Sequence, residues 1–367
     1  MNSNINIEKN MNKTSKIYVA GHTGLVGSAL WKNLLSKGYT NLIGRTLEEL
    51  DLMNAVAVKD YFDAHQPEYV FLAAAKVGGI VANNTYRADF IYQNLQIQNN
   101  VIYESFRHNV KKLLFLGSTC IYPRDAQQPL AETELLTAPL EYTNEPYAIA
   151  KIAGLKMCES FNIQYGTNFI AVMPTNLYGP NDNFDLEKSH VLPAMIRKIF
   201  LAHCLMKNDW QSIFTDFNLR PVEKINGSAK KEFILQKFEK YGIFPDRVEL
   251  WGTGKPLREF LWSEEMADAS VFIMENVDFQ NLKGNSSEIR NCHINIGTGK
   301  EISIKDLSEL IKQTVGYQGN IVFDSTKPDG TMRKLTDPSK LHSLGWRHKI
   351  EIEDGVKKMF DWYKKDF

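Results

Sequence analysis

Residues 16–27 restrict the fold of this chain more than any other stretch: Lys16-Ile17-Tyr18-Val19-Ala20-Gly21-His22-Thr23-Gly24-Leu25-Val26-Gly27. A short apolar run leads into glycines spaced G-x-x-G-x-x-G, and the helical pattern Leu25, Ala29, Leu30, Leu34 follows. That order is strand, tight turn, helix. Glycines there let the backbone approach a pyrophosphate, and the helix N-terminus offers unpaired N–H groups and the positive end of its dipole. An ordinary strand-to-helix turn has the same outline, so the remaining sequence has to decide.

It points to a parallel sheet. Candidate strands at 16–20, 41–44, 69–74, 112–117 and 169–173 alternate with candidate helices at 25–37, 54–64, about 89–108 and about 146–165. Nearly continuous apolar strands between helices argue for a sheet covered on both faces. After residue 180 the rhythm breaks. Helices are expected at 190–207 and 230–241, a strand at 248–251, a helix at 263–276, and a strand at 293–296 that rejoins the sheet. A helix at 303–315, a strand at 320–323 and a helix at 354–363 complete the reading. The expected fold class is α/β: a Rossmann-type doubly wound parallel sheet with a smaller C-terminal α/β substrate-binding domain. The first domain takes residues 15–180 plus about 260–300, and the second 181–259 plus 301–367. Residues 1–14, rich in Asn and Lys, are expected to form a disordered tail.

Composition excludes several classes of function. Lys plus Arg and Asp plus Glu both number 43, so no net field favours nucleic acid or an anionic membrane. No apolar stretch approaches the ~18 residues of a membrane span, and no signal peptide is visible. Cys120, Cys158, Cys204 and Cys292 are scattered, without C-x-x-C or a His at metal spacing. A cytoplasmic protein with no metal centre is expected, and Cys158 reads as packing.

Chemistry enters at Tyr147 and Lys151, which share one face of a helix four residues apart. Some thirty residues upstream lies Gly117-Ser118-Thr119-Cys120-Ile121-Tyr122-Pro123. A Tyr titrates near pH ~10, and an adjacent ammonium pulls that value toward neutrality. With Ser118 holding a carbonyl oxygen, the trio suits ketone/alcohol chemistry. Alone, Tyr-x-x-x-Lys fits an amphipathic helix with a solvated Lys equally well. Cys120, two residues after the Ser, reads as a second acid or base, or as a small buried residue.

Together with Ala73-Ala74-Ala75-Lys76-Val77-Gly78-Gly79-Ile80-Val81-Ala82-Asn83-Asn84, Asn144-Glu145-Pro146-Tyr147-Ala148-Ile149-Ala150-Lys151, Pro174-Thr175-Asn176-Leu177-Tyr178-Gly179-Pro180, Trp251-Gly252-Thr253-Gly254 and Lys327-Pro328-Asp329-Gly330-Thr331, these residues resemble the extended short-chain dehydrogenase/reductase family. Within it they are similar to the GDP-L-fucose synthase branch, over residues 16–204 and 246–364. The resemblance implies 3,5-epimerisation and then 4-reduction of GDP-4-keto-6-deoxy-D-mannose, with another GDP-4-keto-6-deoxy sugar, such as a heptose, as the alternative. It places the reductase triad on Ser118, Tyr147 and Lys151 and the epimerisation acid/base pair on Cys120 and His190. Read alone, His190 is a polar residue opening a helix. The resemblance also implies an NADP site of Gly21, His22, Thr23, Gly24, Leu25, Val26, Gly27, Arg45, Leu116, Gly117, Ser118, Thr119, Tyr147, Lys151, Pro174, Thr175, Asn176, Leu177 and His190. Substrate contacts fall on Lys198, Trp251, Arg258 and Asp329, and a homodimer is the implied assembly.

Arg45 decides the expected cofactor. It directly follows the second strand, where an Asp or Glu would bind the ribose 2′-hydroxyl of NAD; an Arg suits the 2′-phosphate of NADP(H) instead, or is a surface residue. Thr23 departs from the Arg that many relatives carry in the glycine turn, which predicts a weaker NADP preference. A 4,6-dehydratase is disfavoured because Thr119 is followed by Cys120-Ile121. A regulator without catalysis is disfavoured by the joint presence of the five catalytic candidates. Leu205–Asp246 departs from the family pattern as an insertion rich in aromatics, and a lid, an oligomer contact and surface ornament are all open for it.

Overall fold

A computed structural model of the chain describes residues 11–284, 287–327, 329–365 and 367. The first half runs β1 (Ile17–Ala20), α1 (Leu25–Ser36), β2 (Leu42–Ile43), α2 (Ala55–His65), β3 (Tyr69–Leu72), α3 (Ile80–Thr85), α4 (Arg87–Arg107), β4 (Lys112–Leu116), α5 (Glu145–Tyr165) and β5 (Phe169–Pro174). Next come β6 (Asn176–Tyr178), α6 (Val191–Met206), α7 (Trp210–Leu219), α8 (Lys231–Lys240), β7 (Arg247–Trp251), β8 (Leu257–Arg258) and β9 (Phe260–Trp262). The chain ends with α9 (Ser263–Asn276), α10 (Phe279–Leu282), β10 (Ile294–Ile296), β11 (Ile302–Ser303), α11 (Ile304–Val315), β12 (Asn320–Asp324), α12 (Ser339–Ser343) and α13 (Ile352–Tyr363).

Among the described residues the main sheet has the order β10-β5-β4-β3-β1-β2, every pairing parallel. The chain leaves β1 toward β2 and later returns on its other side to β3. That reversal makes a crevice at the C-terminal ends of β1 and β3, where sheets of this kind take ligands. Every residue of β1, β3, β4 and β5 is buried, as continuous apolar strands require. Leu30 and Leu34 of α1 join Met266 and Ile273 of α9 on one face, and Phe62, Val101 and Leu155 cover the other. β10 rejoins the sheet, as expected from its sequence, and takes the edge beside β5.

A second core forms from α6, α7, α8, β7, α11 and α13, with Tyr178, Phe260 and Trp262 reaching into it. The Leu205–Asp246 insertion is part of that core, so the ornament reading gives way. Ile213, Phe217, Ile234 and Phe238 are fully enclosed. Asp209 caps α7 by accepting from Ser212 N at 3.1 Å. Arg197 of α6, 1% exposed, donates to Asp216 Oδ2 through Nε (2.9 Å) and Nη2 (2.7 Å). The Tyr363 hydroxyl donates to the other Asp216 oxygen, so one carboxylate ties α6, α7 and α13 together.

The expectation of a disordered tail over 1–14 is corrected at its C-terminal end; residues 1–10 lie outside the described residues. Met11 is buried in the core under α1, its carbonyl accepts from the Tyr39 hydroxyl at 3.4 Å, and Lys13 O accepts from Thr40 N at 2.9 Å. The Met11 side chain anchors this end of the segment. Among the described residues no helix is long and apolar enough to cross a membrane.

Candidate active site

Two of the three turn glycines are sterically required. Gly21 has φ +82, and a Cβ on Gly27 would lie 1.9 Å from Gly21 O. Gly24 has a different task. It is the N-cap of α1, provides no side-chain cap, and a Cβ there would meet only Gly21 O at 3.6 Å. The first turn of α1 therefore faces open space with its N–H groups uncapped, which suits a pyrophosphate. The His22 ring packs on Gly44 at the exit of β2, where a Cβ would come within 2.6 Å of its Cγ, and its buried Nδ1 has no hydrogen-bond partner among the described residues. Arg45 follows, its Nη1 donating to Gly44 O at 2.8 Å and its guanidinium 5.6 Å from the Tyr61 ring centre. No ion pair engages Arg45 among the described residues, so its charge is available to a phosphate. Thr23 is exposed and adds no charge. The residues present fit a dinucleotide with a 2′-phosphate.

Four of the catalytic candidates, Ser118, Cys120, Tyr147 and Lys151, gather where β4 ends. A Cβ on Gly117 would lie 2.3 Å from Met173 Sδ, so the buried Met173 side chain packs directly over the chain as it leaves the strand. Ser118 is extended and its Oγ accepts from Cys120 N at 3.3 Å, capping a short 3-10 turn over Thr119–Ile121. From α5, Lys151 reaches under the strand end and donates to Leu116 O at 2.8 Å. Its ammonium lies 4.8 Å from the Phe115 ring and 5.7 Å from the Tyr147 ring. Burial lowers the Lys151 pKa to about 8. Tyr147 packs edge-on against Phe90, with ring centres 6.2 Å apart.

One electrostatic expectation is corrected. Burial, followed by the neighbouring Cys120, pushes the Tyr147 phenol well above its ordinary value rather than toward neutrality. The reason is geometric: the Lys151 ammonium is committed to the Leu116 carbonyl, and no Lys151–phenol hydrogen bond is present among the described residues. Tyr147 is thus a protonated hydrogen-bond donor, the form needed to place a proton on a developing alkoxide.

Cys120 is buried, and burial raises its thiol pKa; the Lys334 ammonium, the Ser118 hydroxyl and Lys151 oppose that rise, in this order. His190 is the N-cap of α6 and makes no capping bond with its side chain. Burial, then Lys334, lowers its imidazole pKa. The loop before His190 rests on the Ala73–Asn84 motif, where a Cβ on Gly79 would lie 3.5 Å from Ser189 O.

The substrate candidates lie on the second core. Lys198, 9% exposed on α6, has Glu249 O as an acceptor at 3.4 Å, and burial brings its pKa down to about 8. Trp251 ends β7 and is 61% exposed, with the Lys327 ammonium 5.6 Å from its ring. Burial lowers the Arg258 pKa against the opposing charge of Asp329. Asp329 is already engaged: its oxygens accept from Thr253 N (2.8 Å) and Thr253 Oγ1 (2.7 Å), shaping the turn after Trp251. Pro174 closes β5, Leu177 lies in β6, and Thr175 and Asn176 both donate to Glu259 O, at 3.5 and 2.8 Å.

Sequence reasoning missed Lys334 and Glu259. A faint signal for Lys334 existed: Arg333 pairs with Glu301 at 2.8 Å, and alternation in an extended segment turns the next side chain the other way. Nothing local marks Glu259, whose partners come from two distant loops.

The sequence profile of the NAD dependent epimerase/dehydratase family matches residues 17–297. GDP-L-fucose synthase 1 of Arabidopsis thaliana is 49% identical over 354 residues, 96% of this chain and 94% of the relative. GDP-L-fucose synthase of Escherichia coli (strain K12) is 46% identical over 348 residues, 95% of this chain and 96% of the relative. A solved GDP-D-glycero-L-gluco-heptose synthase from Campylobacter jejuni, determined in the presence of NADPH, is 48% identical. It superposes with a TM-score of 0.90 over 96% of this chain and 99% of its own.

Proposed function

This chain belongs to the NAD dependent epimerase/dehydratase family, and we propose that it converts GDP-4-keto-6-deoxy-D-mannose to GDP-L-fucose by epimerising C3 and C5 and then reducing C4. The observation that carries the reading is the gathering of Ser118, Tyr147 and Lys151 at one strand end, with Cys120 in the same turn. A C4 ketone acidifies the hydrogens on both C3 and C5, since either carbanion is an enolate of the same carbonyl. One pair of donors, Tyr147 and Ser118, therefore serves both epimerisations and the reduction. Cys120 removes a proton from one face, and His190 returns one to the other. NADPH, when bound, supplies the hydride to C4. Tyr147 then gives its proton to the C4 oxygen, and Lys151 holds the nicotinamide ribose. Arg45 and the start of α1 hold the two ends of the dinucleotide phosphates. Lys198 and Arg258 counter the diphosphate of the sugar nucleotide, and Trp251 offers it an aromatic face.

A second reading has a specific basis: reduction or epimerisation of a GDP-4-keto heptose derivative, since similarity to the Campylobacter jejuni heptose synthase matches that to the plant enzyme. Incubation with GDP-4-keto-6-deoxy-D-mannose and NADPH, with NMR of the product, separates them. GDP-L-fucose is expected; inertness toward this sugar with turnover of the heptose analogue would replace the first reading by the second.

Several further features belong to the same proposal. The active cleft lies between a cofactor domain (15–180 with about 260–300) and a substrate domain formed by the remainder. The protein works as a homodimer through the outer faces of α4 and α5, where Tyr92, Tyr103, Ile149 and Ile163 are exposed on packed neighbouring helices. Four unpaired cysteines, all buried, suit a reducing cytoplasm.

A further inference from the structure

The Leu205–Asp246 insertion grips Lys198 from two sides. On α6 the preceding residue, Arg197, donates to Asp216 Oδ2 of α7 through Nε (2.9 Å) and Nη2 (2.7 Å), and to Phe184 O through Nη1 (3.0 Å). That clamp fixes the helix that carries Lys198. The second grip comes from the far end of the insertion, which turns back along β7. Ile243 bridges Val248 antiparallel, Glu249 N donates to Gly242 O at 2.8 Å, and Phe244 N donates to Arg247 O at 2.9 Å. In that register Gly242 opposes Glu249, and a regular ladder would return a bond from Gly242 N to Glu249 O. Gly242 N donates instead to Glu239 O at 3.2 Å, closing the end of α8. Glu249 O takes the Lys198 ammonium in its place, at 3.4 Å. The Glu249 carboxylate accepts from Arg247 Nε at 2.9 Å. Gly242 makes the arrangement possible. Its φ is +69, and a Cβ there would lie 2.7 Å from Glu249 Cβ and 3.0 Å from Glu249 O, the oxygen that Lys198 uses.

We propose that the insertion is a positioning device for the diphosphate of the sugar nucleotide, with Gly242 as its positioning residue. The inference rests on the reading of Lys198 as a diphosphate partner and adds what places it. A side chain at position 242 would crowd the carbonyl that holds the ammonium, and the bare backbone of glycine keeps that carbonyl open. Among the described residues Glu249 O is the one hydrogen-bond partner of the Lys198 ammonium. One donor therefore anchors the group, and the other two of its three N–H bonds stay available to phosphate oxygens. Fixing a long lysine stem before the ligand arrives removes part of the ordering cost from binding. The Arg197–Asp216 clamp sets the root of the side chain, and the turn at Gly242 sets its tip.

The test is a double-mutant cycle read by the dissociation constant of GDP, measured by calorimetry on the NADP⁺-loaded protein. Gly242→Ala should weaken GDP about 3- to 10-fold, the scale of coupling between residues in contact, and leave NADP⁺ affinity within about two-fold. Lys198→Met should weaken GDP about 10- to 100-fold, the loss of a charge-assisted contact. Adding Gly242→Ala to Lys198→Met should then change GDP affinity less than about two-fold, because no ammonium remains to be positioned. A loss by the same factor in both backgrounds, or no loss in the single Gly242→Ala variant, would overturn the inference. Should Gly242→Ala fail to bind NADP⁺ through misfolding, Gly242→Asn carries the same cycle, since Asn tolerates the left-handed backbone yet keeps the Cβ. Unchanged GDP affinity in Lys198→Met would instead remove the reading of Lys198 as a diphosphate partner, and this inference with it.

Discussion

At the residue scale the chain keeps four cations without full compensation. Lys151, Lys198, Arg258 and Lys334 all have their pKa lowered by burial, and none is closed off by a carboxylate salt bridge among the described residues. Such charges cost folding energy until an anion arrives. Lys198 makes the cost measurable, because its pKa falls from an ordinary 10.5 to about 8. Below pH 8 both folded and unfolded states carry the proton, and the folded state bears the whole penalty. As pH rises from about 8 toward 10.5 the folded state sheds its proton first, and the penalty fades. Lys198→Met should therefore be more stable than wild type by on the order of 1–3 kcal/mol at pH 7, with the gap closing by pH ~10. The same change removes a charge-assisted contact of about 1.5–3 kcal/mol, so KM for the GDP-sugar should rise about 10- to 100-fold. Thermal melts without nucleotide at both pH values, and initial rates, check the two halves. Equal melting at pH 7 would mean that the ammonium is compensated.

Elements position these residues through a few close approaches. α5 lies low on the sheet because Gly154 leaves room: a Cβ there would sit 2.5 Å from Phe115 Cζ and 2.9 Å from Gln98 Cδ. Gln98 of α4 donates to Ala150 O at 2.7 Å, beside Lys151, which fixes the rotation of the helix and so the face carrying Tyr147. In the second core the Arg197–Asp216 pair plays the corresponding part. Removing one partner strands a buried charge, which costs about 3–5 kcal/mol. Asp216→Ala should accordingly lower stability by that amount in denaturant titrations, and the loss should be shared by α6, which also carries Lys198. A change below about 1 kcal/mol would show the pair to be solvated. The insertion is thus a structural member of the second core.

For the whole molecule, α4 and α5 expose several large apolar side chains, Tyr92, Tyr103, Ile149, Ile163 and Tyr165, among polar ones. Tyr92 is 60% exposed and Ile163 53%, and Phe106 packs on Tyr165 with ring centres 4.5 Å apart where the two helices meet. Scattered exposed apolar residues are ordinary, whereas several on two packed helices are what the proposed subunit contact would cover. A double change, Tyr92→Glu with Ile163→Glu, places like charges at a self-complementary contact. Sedimentation should show about twice the monomer mass for the wild type and the monomer mass for the variant. A monomeric wild type would exclude the dimer, and a dimeric variant would move its interface elsewhere.

Local chemistry was legible in the chain itself. The glycine turn, the alternation of β1 to β5 with helices, and the spacing of Tyr147 and Lys151 each depend on residues within a turn or two of one another. Backbone sterics and side-chain periodicity act over that range, so the sheet and its two covered faces could be read from the chain alone, and the shared helix face of Tyr147 and Lys151 with them. What needed the tertiary structure were quantities summed over distant neighbours. The direction of the Tyr147 pKa depends on where the Lys151 ammonium points and on how deeply the cleft buries the phenol. Met11 is ordered because Tyr39 and the α1 core receive it. The insertion is core because Asp216 meets Arg197 and Tyr363. Thr336 is joined to the 298–299 loop because Glu259, 77 positions earlier, accepts from its N–H and from two N–H groups of that loop. Burial and charge pairing act through space, and no periodicity along the chain encodes them.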